Sequence, residues 1–383
     1  MEFATRTEAF ERSKIRVMFD LATEAERNGE DPVRLEVGEP DFDTPAHATE
    51  AGFKAARGGA TDYTESIGIG PLREAIADRL GEYGLSHGPE EIVVTTGGME
   101  ALHVVDLAVV DPGEEVLVPT PAWPNYAIHA ALAGGSIRRV PMPPPYDLDA
   151  DRVIAAMGPD TAAVVLTTPS NPTGRVYDPG PIRRVVEAAA AHGAYVIADE
   201  VYAELTFDRE SRAVGAMTGM PEHVITIGSV SKSHAMTGWR LGWLAAAPEF
   251  VETATAVREG TTSCPAAPAQ HAAVAALTGP REPEEKMYEA FERRRAYLVD
   301  RLAEIEGVSA PRPQGAFYAF LDVEAPEKGL ALTKRLLREA GVALAPGTAF
   351  SERADGRVRL SFANSMARLE EGLDRIERAV PLE

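Results

Sequence analysis

The stretch HVITIGSVSKSHAMTGWRLGW, residues 223–243, runs from an apolar, β-branched segment into a turn rich in Ser and Gly. Its first six residues read as a buried strand, and the turn presents Lys232 just past the strand's end. Lysine is scarce in this chain, six residues against 32 arginines, so one in this position is informative. Segments of the same character recur: EIVVTT (91–96), EVLVP (115–119), IRRVPM (137–142), AAVVLTT (162–168), AYVIAD (194–199) and LGWLAAA (241–247). Helical stretches such as MEALHVVDLAVV (99–110) and PIRRVVEAAAAH (181–192) fit between most of them. This alternation predicts an α/β fold, a mostly parallel seven-stranded sheet with helices on both faces. Past residue 281 the character changes to a highly charged helical run, EPEEKMYEAFERRRAYLVDRLAEIEG (282–307), then shorter strands and two further helices. A smaller α+β domain is expected there. The expected division is an N-terminal segment (1–45) packing with the small domain, a large domain (46–280) and a small C-terminal domain (281–383).

An isolated lysine is ordinarily a solvated surface group. The neighbours of Lys232 argue for chemistry instead. A lysine amine at a desolvated strand end can form a Schiff base with an aldehyde cofactor, the way pyridoxal phosphate is held. Asp199 ends AYVIAD, where a carboxylate can pair with the cofactor's pyridinium nitrogen. Glu200 points to the opposite side of an extended strand and is the weaker ring partner. Asn171 lies in the turn TTPSNPTG (167–174), and Arg359 in the alternating segment RVRLSF (357–362). An arginine fork binds a carboxylate through two parallel hydrogen bonds. All these residues fall at strand ends, where open α/β sheets bind ligands. No GxGxxG follows a first strand, which argues against a dinucleotide site.

From LEVGEPDFDTP (35–45) to RVRLSFA (357–363), with SVSKSHAMTGWRLGW as the most specific block, the chain resembles the class I/II aminotransferases of pyridoxal-phosphate fold type I, the aspartate aminotransferase-like group. The resemblance implies pyridoxal 5'-phosphate as cofactor, with Lys232 as Schiff-base lysine and proton shuttle. It implies Asp199 as pyridinium partner, and Tyr202 and Asn171 as donors to the phenolic oxygen. Ser229, Ser231 and Arg240 would bind the phosphate, with backbone amides of Gly98 and Met99 at a helix start, where unpaired N–H groups favour an anion. Trp123 would stack on the ring. Tyr63 would reach the phosphate of a neighbouring subunit, so the resemblance implies a homodimer with shared active sites. Arg359 would hold the substrate α-carboxylate, aided by Trp123, Asn171 and the backbone near Gly38.

Composition narrows the function classes. A single cysteine, Cys264, excludes internal disulfides, and the charged N-terminus lacks a signal-peptide core, so a cytoplasmic protein is expected. No apolar run is long enough for a membrane span. The net charge of −21 argues against a nucleic-acid surface. Acids outnumber bases 59 to 38, an excess that arginine-rich coding does not require and a salt-adapted setting explains. The eight histidines show no metal-ligand spacing; His192, His223 and His271 read as surface or packing positions. Cys264 reads as a small packing residue, Trp239 and Trp243 as packing, and Arg293–Arg295 as a solvated helix face.

The leading functional expectation is amino transfer from an L-amino acid (aspartate, aromatic or aliphatic) to a 2-oxo acid, 2-oxoglutarate being the usual acceptor. A lyase or cyclase on the same scaffold is the alternative, and a regulator is disfavoured because only about 30 residues precede the family match. The aspartate-using branch commonly has GGK at the helix start; here it is GGM, and Met99 supplies no charge for a distal carboxylate. The loop TTSCPAAPAQ (261–270) also lacks the arginine that animal-type enzymes use. Arg16 is a candidate to fill that role.

Overall fold

A computed structural model describes Thr7, Phe10 and residues 12–380. Its thirteen strands are β1 (Val33–Arg34), β2 (Ile92–Thr95), β3 (Glu115–Thr120), β4 (Ser136–Pro141), β5 (Thr161–Thr167), β6 (Tyr195–Asp199), β7 (Val224–Ser229), β8 (Gly242–Ala245), β9 (Val308–Ser309), β10 (Tyr318–Val323), β11 (Val342–Ala343), β12 (Ala345–Pro346) and β13 (Arg357–Ser361). Each of the seven apolar segments named above becomes a strand of one sheet, ordered β2-β8-β7-β6-β5-β3-β4. The run β4-β3-β5-β6-β7 is parallel, and β8 is antiparallel to both its neighbours.

The sheet is buried on both faces because alternate side chains go to opposite sides. In β5, Ala163 and Val165 face one core with the helices Gly98–Val109, Asn125–Ala133 and Pro248–Glu259. Val164 and Leu166 face the other with Ala150–Ala156 and Pro179–Ala191. At the β2 end, Ile92, Val94 and Trp243 pack against Gly70–Glu82 and Ala267–Thr278.

A second sheet, β12-β13-β10-β9, is antiparallel and packs on the 21-residue helix Glu282–Leu302 and on Met366–Ala379. The N-terminal segment joins this part of the molecule. Strand β1 pairs in parallel with β11, and Met18 and Ala22 of the first helix pack against Leu337 and Ala343.

Arg293 is exposed, but Arg294 and Arg295 are buried, which corrects the reading of this cluster as a solvated face. Arg294 makes a two-pronged bond to Asp41 (2.6 and 2.8 Å) and stacks on Phe42 and Phe291. Arg295 reaches Asp208 at 2.8 Å and lies over Phe207. Their partners come from loops far away in sequence, so these guanidiniums are neutralised inside the fold rather than by water.

Candidate active site

Six strands of the large sheet, β2, β3, β4, β5, β6 and β7, end on the same edge, and β8 begins there. The loops after them hold nearly all the residues singled out from sequence. Lys232 is in a short helix, Val230–Ser233, immediately after β7. Its amine donates to the carbonyl of Gly38 at 2.7 Å. Gly38 leaves no room for a side chain, since a Cβ there would fall 2.0 Å from the Tyr318 hydroxyl. Burial pushes the Lys232 amine down to about 8; Arg359 and Arg240 act in the same direction, and Glu39 and Asp199 oppose them.

Asp199, at the end of β6, is buried and accepts from the Tyr126 hydroxyl (2.5 Å) and the Val201 amide (3.4 Å). Burial holds its carboxyl above the usual range against those bonds and against Lys232. Glu200 turns away to accept from the Val214 amide at 2.7 Å, so the two adjacent carboxylates serve opposite faces. Tyr126 also bonds Thr167 (2.8 Å) and meets Trp123 edge-on at 5.6 Å.

Arg359 is 3 % exposed, on β13. One arm of its fork donates to Asn171 Oδ1 at 3.0 Å and the other to the Glu36 carbonyl at 2.6 Å. Its guanidinium lies over the rings of Tyr318 and Phe350 at 4.4 and 5.0 Å, which keeps the fork in one plane. The Tyr202 and Tyr318 hydroxyls bond each other at 2.9 Å, and burial raises both phenols.

Helix Gly98–Val109 starts beside this cluster, and the amide of Gly98 opens its first turn. Gly97 has φ +79°, and a Cβ there would come within 2.6 Å of Arg240 Nη2. Gly97 therefore lets a guanidinium approach a helix start, a pairing suited to an anion. The Ser229 hydroxyl donates to the Leu241 carbonyl and accepts from the Ser231 hydroxyl, both at 2.7 Å. Arg240 is exposed, with its Nη1 on the Thr237 carbonyl at 2.9 Å. Met99 is partly exposed, its sulfur against Asn125 (3.6 Å) and His129 (3.4 Å). Arg16 is exposed and rests on Phe19.

Tyr63 stands apart, 89 % exposed on a firmly held loop. Gln270 bonds Thr64 and Ile69, and Arg258 caps the Ser66 carbonyl. Sequence reasoning did not single out Tyr126, Tyr318, Thr237 or Glu39. The nearest signal for Glu39 was its place beside Gly38.

An amine, a buried carboxylate, a helix start beside a guanidinium and an arginine fork lie together here, an arrangement chemically suited to a carboxylate-bearing substrate. Comparison with known proteins sharpens this. Residues 30–376 match the family model "Aminotransferase class I and II", and the chain belongs to that family. It is 39% identical to the aspartate/prephenate aminotransferase of Thermus thermophilus, over 98% of each chain. It is 37% identical to an aspartate aminotransferase of Geobacillus stearothermophilus, over 99% of this chain and 98% of the relative. The solved Thermus thermophilus aspartate aminotransferase with maleate superposes with a TM-score of 0.93 at 39% identity, covering 99% of both chains. The Thermotoga maritima enzyme does so at 0.94 and 36% identity, covering 99% of this chain and all of its own. The protein is an aminotransferase.

Proposed function

We propose that the enzyme works with pyridoxal 5'-phosphate and moves the amino group of an L-amino acid to 2-oxoglutarate. One observation carries this reading: Lys232, Asp199, Asn171, Arg359 and the Gly98 helix start, distant in sequence, meet at one sheet edge. The residues present fit the cofactor. The Gly97–Gly98 turn with Arg240, Ser229 and Ser231 would hold its phosphate, Asp199 its ring nitrogen, Tyr202 and Asn171 its phenolic oxygen, and Trp123 one ring face. When bound, the cofactor withdraws the electrons left by the broken Cα–H bond. Arg359 orients the substrate through its α-carboxylate, with Asn171 fixing the fork and Gly38 lending its backbone. Lys232 Nζ then takes the proton from Cα and later returns one. An amine buried to this degree has a share of its neutral form available near pH 8, which suits a proton carrier.

The relatives from Geobacillus stearothermophilus and Thermus thermophilus are named for aspartate and for aspartate and prephenate. Here Met99 places a thioether, not a cation, at the helix start, against His129, whose imidazole is held to about 4 by burial and so stays neutral. We therefore propose that apolar and aromatic donors are accepted alongside, or ahead of, aspartate. The test is a half-reaction without acceptor: a donor panel should yield its oxo acids and aminated cofactor in equal amounts. Release of ammonia instead would mark a lyase.

A homodimer is part of this proposal, supported by Tyr63, an aromatic left almost bare on an anchored loop. We propose that it completes the phosphate cradle of a second copy in a two-fold dimer. Sedimentation should show the active species as a dimer. An active monomer at working concentration contradicts this.

The acidic excess is proposed as salt adaptation. In dilute buffer the net charge of −21 repels itself; at molar salt the Debye length falls to about 3 Å and the repulsion is screened. The melting temperature should climb as KCl is raised from tens of millimolar to a few molar. A flat curve leaves arginine-rich coding as the only explanation of the composition.

The same reading divides the chain as the sequence suggests, with residues 46–280 as the cofactor domain and 281–383, joined by 1–45, as the smaller one.

A further inference from the structure

The loop that carries Lys232 is tied at one more point to the segment that receives its amine. The Thr237 hydroxyl donates to the Glu39 carboxylate, and the Thr237 carbonyl accepts from Arg240 Nη1 at 2.9 Å. Glu39 directly follows Gly38, whose carbonyl accepts from Lys232 Nζ. One threonine thus fixes a carboxylate and a guanidinium close to the same amine. We propose that Glu39 acts through Lys232: tethered by Thr237, it is the counter-charge that keeps the lysine amine a competent base between Arg240 and Arg359. Nothing in the chemistry of cofactor binding requires this residue, so it is a positioning residue for the reaction.

The charged groups around the amine define what Glu39 must do. Arg359 and Arg240 both disfavour the ammonium, as burial does. Asp199 favours it, but that carboxylate already accepts from Tyr126 and Val201. Glu36, two residues before Gly38, accepts from Arg34 at 2.6 Å through its side chain and from Arg359 through its backbone carbonyl, and its carboxylate also faces the Arg359 charge. Glu39 is exposed, but it is tethered one residue from the carbonyl that Lys232 Nζ touches, and its charge favours a proton on that amine. Without it the amine would surrender its proton at lower pH and be a weaker base toward a substrate Cα–H.

The inference rests on Lys232 as the reacting lysine, and the experiment separates the two claims. With the cofactor stripped, the pH dependence of Lys232 acylation is followed by peptide mass spectrometry in the wild type, Glu39→Gln, Glu39→Asp and Thr237→Val. Glu39→Gln should move the midpoint down by about one unit or less, the screened low end for an opposite charge beside a titrating amine. Glu39→Asp should return most of the shift, and Thr237→Val, which frees the carboxylate, should give a smaller shift of the same sign. Should Glu39→Gln fail to fold, the Thr237→Val comparison still decides. Superimposable curves overturn the proposal, as does a Glu39→Asp curve that matches Glu39→Gln, which would make length rather than charge the cause. In the cofactor-loaded enzyme, the pH titration of the visible band should shift in parallel. If the band titrates normally while Lys232 acylation shifts, the cofactor assignment fails and the Glu39 inference stands.

Discussion

Lys232→Ala is expected to abolish turnover and the visible absorbance of bound cofactor together. One amine performs both tasks in this account, because its Nζ is the covalent tether and the proton carrier. The loss should be at least roughly 10⁴-fold, the upper range for removing a general acid–base group, with the tether lost in addition. Steady-state assays and an absorbance spectrum of the purified variant measure both at once. Substantial residual transamination would separate the two roles and refute the assignment. The fold should survive, since Lys232 lies in a four-residue helix past the end of β7 and its amine bonds the Gly38 carbonyl.

Arg359→Ala and Arg240→Ala should fail in different ways. Arg359 presents its fork between Asn171 and the Glu36 carbonyl, pressed on Tyr318 and Phe350, with its Nε lacking a partner among the described residues. Removing it leaves the substrate carboxylate unpaired in a buried site, at a cost of about 2–5 kcal/mol. That corresponds to roughly 30- to several-thousand-fold in kcat/KM for every donor, whatever its side chain. Arg240 instead flanks the Gly98 helix start, and its loss should raise the concentration of cofactor needed for half-saturation. Kinetics at saturating cofactor, beside cofactor titrations of both variants, make the comparison. Equal effects on cofactor affinity would contradict this division.

The large sheet was legible in the sequence because each strand is a short apolar, β-branched run between turn residues. The direction of β8 was not, because alternation of side chains carries no polarity. Nor was the β1–β11 pairing: two residues on each side leave no periodic trace. The fold brings Lys232, Asp199, Asn171 and Arg359, singled out by their motifs, close to one another, and the roles given to them are the proposal above. What the sequence hid was partnership. No motif singles out Tyr126 or Tyr318, and only the fold sets one against Asp199 and the other between Tyr202 and Arg359. The Arg293–Arg295 cluster misled for the same reason, since Asp41 and Asp208 are remote in sequence. Thr237 and Glu39 are 198 residues apart, and no local pattern could join them.

The central claim is that Lys232 carries the cofactor. The chain holds five other lysines, Lys14, Lys54, Lys286, Lys328 and Lys334, so the claim can be tested against a short field. The cofactor-loaded enzyme is reduced with borohydride, digested, and searched by mass spectrometry for the pyridoxyl-bearing peptide. The account predicts one modified site, Lys232. Stoichiometric label on any other lysine, with Lys232 free, would contradict it.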